Sequence, residues 1–224
     1  MEFRMSQNKF ENSENLDDVI VIAITGSISS GKSEVCKIIE KNNFKVVNTD
    51  DLAKEVISRS TIVKEQILKE FGKHSFKDGK FNSEYISSQV FGNEENNVNN
   101  LIKLNAIIHP PVIEKMIEEI EYLSNHGHKL IFVESALIFE AGLEDGFDYI
   151  IMVDSNEEIR RERFVKRTQL SREQFDYRNQ SQINPQFKRE NSDFVIENNL
   201  DFENLEKSTI KLLEIIKFLP KNEF

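Results

Sequence analysis

Cysteine is nearly missing from this chain of 224 residues, tryptophan is absent and proline occurs only four times. The one thiol, Cys36, has no partner for an intramolecular disulfide, so the fold must hold without covalent staples, and a reducing, cytoplasmic setting is expected. Long apolar runs are lacking as well. VIVIAI, Val19 to Ile24, is typical of those present and far shorter than the ~20 residues that cross a bilayer, so no membrane span is expected. The opening stretch MEFRMSQNKF carries no apolar run of the secretory kind. Positive charge is in deficit: 29 Lys and Arg stand against 39 Asp and Glu, a net charge of −10. That balance argues against the broad phosphate-backbone footprint of a nucleic-acid binder. The length suits one well-buried domain with a small insertion rather than two full domains.

What is present is ordered unevenly. Residues 1–18 are polar, without sustained period, and are expected to form a mobile extension. VIVIAIT reads as a strand covered on both faces, and after a glycine loop Val35, Ile38 and Ile39 recur at helical spacing. Phe44 to Val47 reads as a second strand, with a helix from about Leu52. From residue 59 to 126 the pattern is mostly helical, with Ile62, Ile67, Leu68 and Phe71 on one face, Asp78-Gly79 as a turn between helices, and HPP at His109 to Pro111 as an interruption. Strands return at Leu130 to Val133, Tyr149 to Val153 and Asp193 to Ile196, and an amphipathic helix closes the chain from Asp201 to Leu219. Strands alternating with helices predict an α/β fold with a mainly parallel sheet. The expected division is a core of residues 19–58 and 127–224, a helical insertion at 59–126, and a helical lid at about 157–190.

The glycine loop is GSISSGKS, Gly26 to Ser33, which fits GxxxxGK[ST]. Gly26 and Gly31 permit backbone angles that turn consecutive amides onto phosphate oxygens, Lys32 can reach the β and γ phosphates, and Ser33 can ligate magnesium. A strand before and a helix after favour nucleotide binding over a glycine turn that happens to spell the motif. No guanine-reading NKxD segment occurs, so a kinase acting on a small acceptor suits the chain better than a GTPase. Asp50, just past the second strand, is placed either to receive a hydroxyl proton or to cap the following helix, and spacing alone does not separate the two. Arg160, Arg163 and Arg167 would share one helix face, within a stretch from 160 to 189 that holds nine basic and three acidic residues. They either meet the charge of a transferring phosphoryl group or lie on a solvated face paired with Glu157, Glu158 and Glu162.

Several stretches together resemble the dephospho-coenzyme A kinase family: IAITGSISSGKSEV, VVNTDDLAKEV, AIIHPPV, VESALIFEAGLEDGFDYIIMVD, RRERFVKRTQLSREQ and SDFVIENN. The resemblance runs from about Val19 to Leu219 and implies a P-loop nucleoside triphosphate hydrolase-type kinase fold with a parallel five-stranded sheet, an inserted helical acceptor-binding subdomain and a helical lid. It implies transfer of the ATP γ-phosphoryl group to the ribose 3′-hydroxyl of dephospho-CoA, with Mg2+ as the metal and ATP and dephospho-CoA as small-molecule partners. Gly26, Ser27, Ile28, Ser29, Ser30, Gly31, Lys32, Ser33 and Glu34 would surround the ATP phosphates, and Ser33 would hold the metal. Asp50 aligns with the family's proton-accepting carboxylate, Arg163 and Arg167 with lid arginines, and Asn198 with a loop against the adenine. Asn48, Asp50, His109, Leu137 and Phe139 would meet the acceptor, although His109 suits a structural role at its turn, and Leu137, Ile138 and Phe139 suit plain core, equally well. Four positions depart from the family's pattern: Asn48 and Glu134 each replace an Asp, Ala136 replaces a Pro, and Thr168 replaces an Asp. Two other readings stay open, a P-loop kinase for nucleosides or nucleoside monophosphates and a nucleotide-binding regulator without catalysis. The HP and LIFEAGLE segments weigh against the first, and Lys32, Asp50, Arg163 and Arg167 together against the second.

Overall fold

The computed structural model describes residues 19–92 and 94–221; the extension expected at residues 1–18 lies outside them. Five strands form one parallel sheet in the order β2 (Lys45–Asn48), β5 (Leu130–Glu134), β1 (Ile20–Thr25), β6 (Tyr149–Asp154) and β7 (Phe194–Glu197). Because β1 is central, its alternate residues feed two cores. Val21 and Ala23 join one cluster with Val47, Ile131, Val133 and Met116, whereas Ile22 and Ile24 join the other with Phe132, Val153, Ile38, Leu212 and Ile216. This two-sided burial is why the strand sequences read as unbroken apolar runs.

Helices α1 (Lys32–Lys41) and α9 (Phe202–Ile216) cover one face. On the other lie α2 (Thr49–Arg59), α3 (Thr61–Phe71), α4 (Ser83–Val90) and α5 (Glu95–Asn125), and α6 (Glu157–Thr168), α7 (Arg172–Gln180) and α8 (Pro185–Glu190) link β6 to β7. Among the described residues no helix is long and apolar enough to cross a membrane.

Three local expectations are corrected. The HPP segment does not interrupt its helix: α5 runs for 31 residues with Pro110 and Pro111 inside it. Proline's fixed φ is helical and only its missing amide and ring oppose the helix, while burial of Leu104, Val112, Met116 and Ile120 secures both halves. Asp78-Gly79 joins two strands rather than two helices. It turns a short hairpin of β3 (Phe76–Lys77) and β4 (Lys80–Phe81), with φ of 51° and 76° at the two turn residues, the sign that a tight hairpin demands. Finally, α3 buries Val63, Ile67 and Phe71 and leaves Ile62 exposed.

Candidate active site

The carboxyl ends of all five strands open onto one edge, where folds of this type bind ligands. The phosphate loop follows β1. A Cβ on Gly26 would land on the Val153 carbonyl, and one on Gly31, at φ 105°, would land on the Asn198 side-chain amide. Helix α1 then starts without a side-chain cap, leaving its positive end to an anion. The buried hydroxyls of Ser27 and Ser30 have no protein partner, which fits a loop shaped around a polar ligand.

Lys32 Nζ folds back on its own loop and donates to the Gly26 carbonyl at 2.9 Å. Burial pulls its pKa below the ordinary lysine value, and the carboxylates of Glu134 and Asp50 act in the opposite direction. Glu134, at the end of β5, is buried and accepts from Ser33 Oγ at 3.0 Å and from Asn48 Nδ2 at 2.5 Å. Two of the departures noted in the sequence therefore contact each other. An aspartate at position 48 would press a second carboxylate against Glu134, whereas the Asn48 amide donates to it.

Asn48 also caps α2, its Oδ1 accepting from the Asp51 amide at 3.1 Å. The cap is thus Asn48 and not Asp50, which stands in the first turn of α2, exposed, on the rim of a cavity of about 150 Å3. The cavity runs from Thr49 and Asp50 to Ile108 and His109 on α5 and to Leu137 and Ile138 beyond β5. His109 is half-buried, and burial lowers its pKa against the opposing pull of Glu140. Phe139 differs from expectation. The turn closed by the Ala141 amide on the Leu137 carbonyl rotates it away from the cavity lining, and it packs edge-on against Phe187.

Three of the four arginines of α6, Arg160, Arg163 and Arg167, reach the phosphate loop. Arg160, 1% exposed, donates from Nη1 to the Ile28 carbonyl at 3.4 Å and to Asn179 Oδ1 at 2.7 Å. Arg163 reaches Ser155 Oγ at 3.3 Å and Asn198 Oδ1 at 3.3 Å, and Arg167 reaches Ser29 Oγ at 3.4 Å. Glu157 and Glu158 instead pair with Arg161, at 2.8 and 2.6 Å. Asn198 is buried and turned inward, donating to the Ser30 carbonyl at 2.8 Å; its side chain is committed to bracing the loop rather than free for a base. Glu34 faces solvent and pairs with Lys37 at 2.7 Å. Thr168 ends α6 by donating to the Phe164 carbonyl at 2.8 Å and accepting from the Leu170 amide at 3.2 Å. Sequence reasoning did not find Glu140, Gln182 or Lys188, which join these loops from distant segments. Their traces in the sequence are the LIFEAGLE segment, which holds Glu140, and the basic stretch that includes Lys188.

Among the described residues no three His, Cys, Asp or Glu side chains gather to hold a metal. Magnesium needs no such cage, because it takes one or two protein oxygens and completes its shell with phosphates and water. Ser33 Oγ, held by Glu134 at the foot of the phosphate loop, fits that requirement.

Comparison with known proteins agrees with this arrangement. The family model described as dephospho-CoA kinase matches residues 20–204. The dephospho-CoA kinase of Bdellovibrio bacteriovorus is 33% identical over 203 residues, covering 90% of this chain and 98% of that protein. That of Fusobacterium nucleatum is 35% identical over 199 residues, covering 88% and 99%. Among solved structures, TT1252 from Thermus thermophilus superposes with a TM-score of 0.74 at 27% identity, over 90% of this chain and 99% of that one.

Proposed function

Since the chain belongs to the dephospho-CoA kinase family, a family of ATP-dependent kinases at the last step of coenzyme A biosynthesis, we propose that the edge of the sheet described above transfers the γ-phosphoryl group of ATP to the ribose 3′-hydroxyl of dephospho-CoA. The observation that carries this reading is the placement of Asp50: it rims the apolar cavity and lies within electrostatic reach of Lys32. An acceptor hydroxyl at that rim is next to both a proton acceptor and the phosphate loop.

In this reading ATP lies with its phosphates in the loop from Gly26 to Ser33. Lys32 exchanges the Gly26 carbonyl for phosphate oxygens, and Asp50 takes the hydroxyl proton as the ribose oxygen attacks phosphorus. Arg163 and Arg167, already against Ser30 and Ser29, stabilise the charge spread over the transferring group. Ser33 would hold magnesium, which when bound would supply neutralisation of phosphate charge. Helices α6 to α8 serve as the lid and exclude water, so that it does not compete with the ribose hydroxyl. The helical segment from α3 to α5 receives the acceptor, with Leu137 and Ile138 as apolar walls and His109 as a polar contact. Phe139 supports the wall from behind.

The test is incubation with ATP, magnesium and dephospho-CoA, with mass spectrometry of the acceptor and parallel reactions containing nucleosides and nucleoside monophosphates. One phosphoryl group added to dephospho-CoA alone is the expected result. Transfer only to a nucleoside or its monophosphate would replace the proposed acceptor.

A further inference from the structure

The segment between α7 and α8, with α8 itself, touches both halves of the site. Gln182 Oε1 accepts from the Ile28 amide of the phosphate loop at 2.8 Å. The next amide, that of Ile183, donates to Glu140 Oε1 at 3.0 Å. Lys188, on α8, meets the same carboxylate oxygen at 2.6 Å and donates to the Ala136 carbonyl at 3.0 Å. Ala136 and Glu140 stand on either side of Leu137 and Ile138, two of the residues that line the cavity.

Lys188 is completely buried, a rare condition for lysine. Stability does not explain it, because desolvating both charges of a buried pair largely offsets their attraction and an apolar pair of equal volume serves as well. Directed bonds do what an apolar pair cannot: they hold the 135–141 loop in one position relative to α8. The surroundings agree, since the charge of Lys188 is felt at Lys32 and that of Glu140 at His109. The pair therefore stands between the phosphate loop and the cavity.

We infer that Lys188 is a positioning residue for phosphoryl transfer: paired with Glu140, and with Gln182 gripping Ile28, it sets the spacing between the cavity wall and the phosphate loop. The inference rests on the reading that the acceptor enters this cavity. None of the three residues needs to touch reacting atoms. They fix a separation in which an error of about 1 Å costs on the order of a hundredfold in rate.

Lys188→Met, Glu140→Gln and the double variant test it, through initial rates with ATP and dephospho-CoA, equilibrium ATP binding and thermal unfolding of the same preparations. The expected result is a fall of at least about tenfold in kcat/KM for the acceptor in each single variant, with ATP affinity kept within about twofold. The double variant should be no worse than the poorer single one, because the pair acts as a unit. Unchanged acceptor kinetics, effects that multiply in the double variant, or an equal loss of ATP affinity would each overturn the inference. Glu140→Gln keeps the side-chain size but removes the carboxylate charge that partners the buried Lys188, so it carries the test alone if Lys188→Met does not fold. A wild type that transfers nothing to dephospho-CoA would remove the functional reading and this inference together, whereas an active wild type with indifferent variants removes the inference only.

Discussion

Asn48 and Asp50 sit two residues apart at the end of β2 and serve different ends. Asn48 is consumed by its cap and by Glu134, which leaves Asp50 as the carboxylate free to face an acceptor. Asp50→Asn should therefore lower kcat by roughly a hundredfold or more while leaving ATP affinity nearly intact, whereas Lys32→Ala should weaken both; rates beside equilibrium ATP binding would check this, and near wild-type turnover in Asp50→Asn would remove its role as base. His109 gives a pH prediction. Burial lowers its folded-state pKa below the ordinary 6.5, so the unfolded chain takes up the proton first on acidification. Its contribution to stability is thus full above pH 6.5 and lost as pH falls below that value. The melting temperature of the wild type should drop more steeply between about pH 6.5 and 5.5 than that of His109→Gln, and parallel curves would exclude this residue as the cause. Lys32 and Ser33 were legible from the sequence because a phosphate loop is local. Asp50 was legible only as a choice, from which the capping role is removed because Asn48 caps α2. Glu140, Gln182 and Lys188 were not legible, since their contacts exist only after three remote segments meet.

Elements were legible where burial leaves a simple pattern and illegible where a local signal competes with packing. The three inner strands β5, β1 and β6 showed as apolar runs because both their faces are covered. Helix α5 was misjudged at Pro110 and Pro111 because local steric rules predict a break, yet contacts along its length to α2, α3 and α4 outweigh the lost amides. The β3–β4 hairpin was missed for the opposite reason. Strands of two residues carry no period, and only Asp78-Gly79 marked the spot. That turn supports a prediction confined to the element. A Cβ on Gly79 would meet nothing within 4 Å, but φ is +76°, so Gly79→Val should cost about 1–2 kcal/mol of stability through backbone strain alone. Urea denaturation should register the loss while kcat stays at the wild-type value; a matching loss of activity would tie the hairpin to the site.

Over the whole molecule, the acidic chain concentrates its positive charge in α6 to α8, and of this segment α6 and the link between α7 and α8 contact the phosphate loop. They also reach the opposite helical lobe: Arg178 on α7 stacks 4.4 Å from the ring centroid of Phe91, just past α4. A cation–π contact of this kind contributes about 1 kcal/mol. Arg178→Ala should accordingly reduce kcat/KM for the acceptor by roughly fivefold and make α7 easier to cut in limited proteolysis with ATP present, whereas unchanged cleavage would mean that the lid closes without this contact. The brace that Asn198 applies to the phosphate loop, from 168 residues further along the chain than Ser30, has a consequence for how the protein is made. A ribosome exposes the glycine loop early, but the residue that locks it emerges only with β7. A nascent chain halted before β7 would carry the complete phosphate-binding motif and lack the bond by which Asn198 holds it, so ATP binding is expected to strengthen only once β7 and Asn198 have been added.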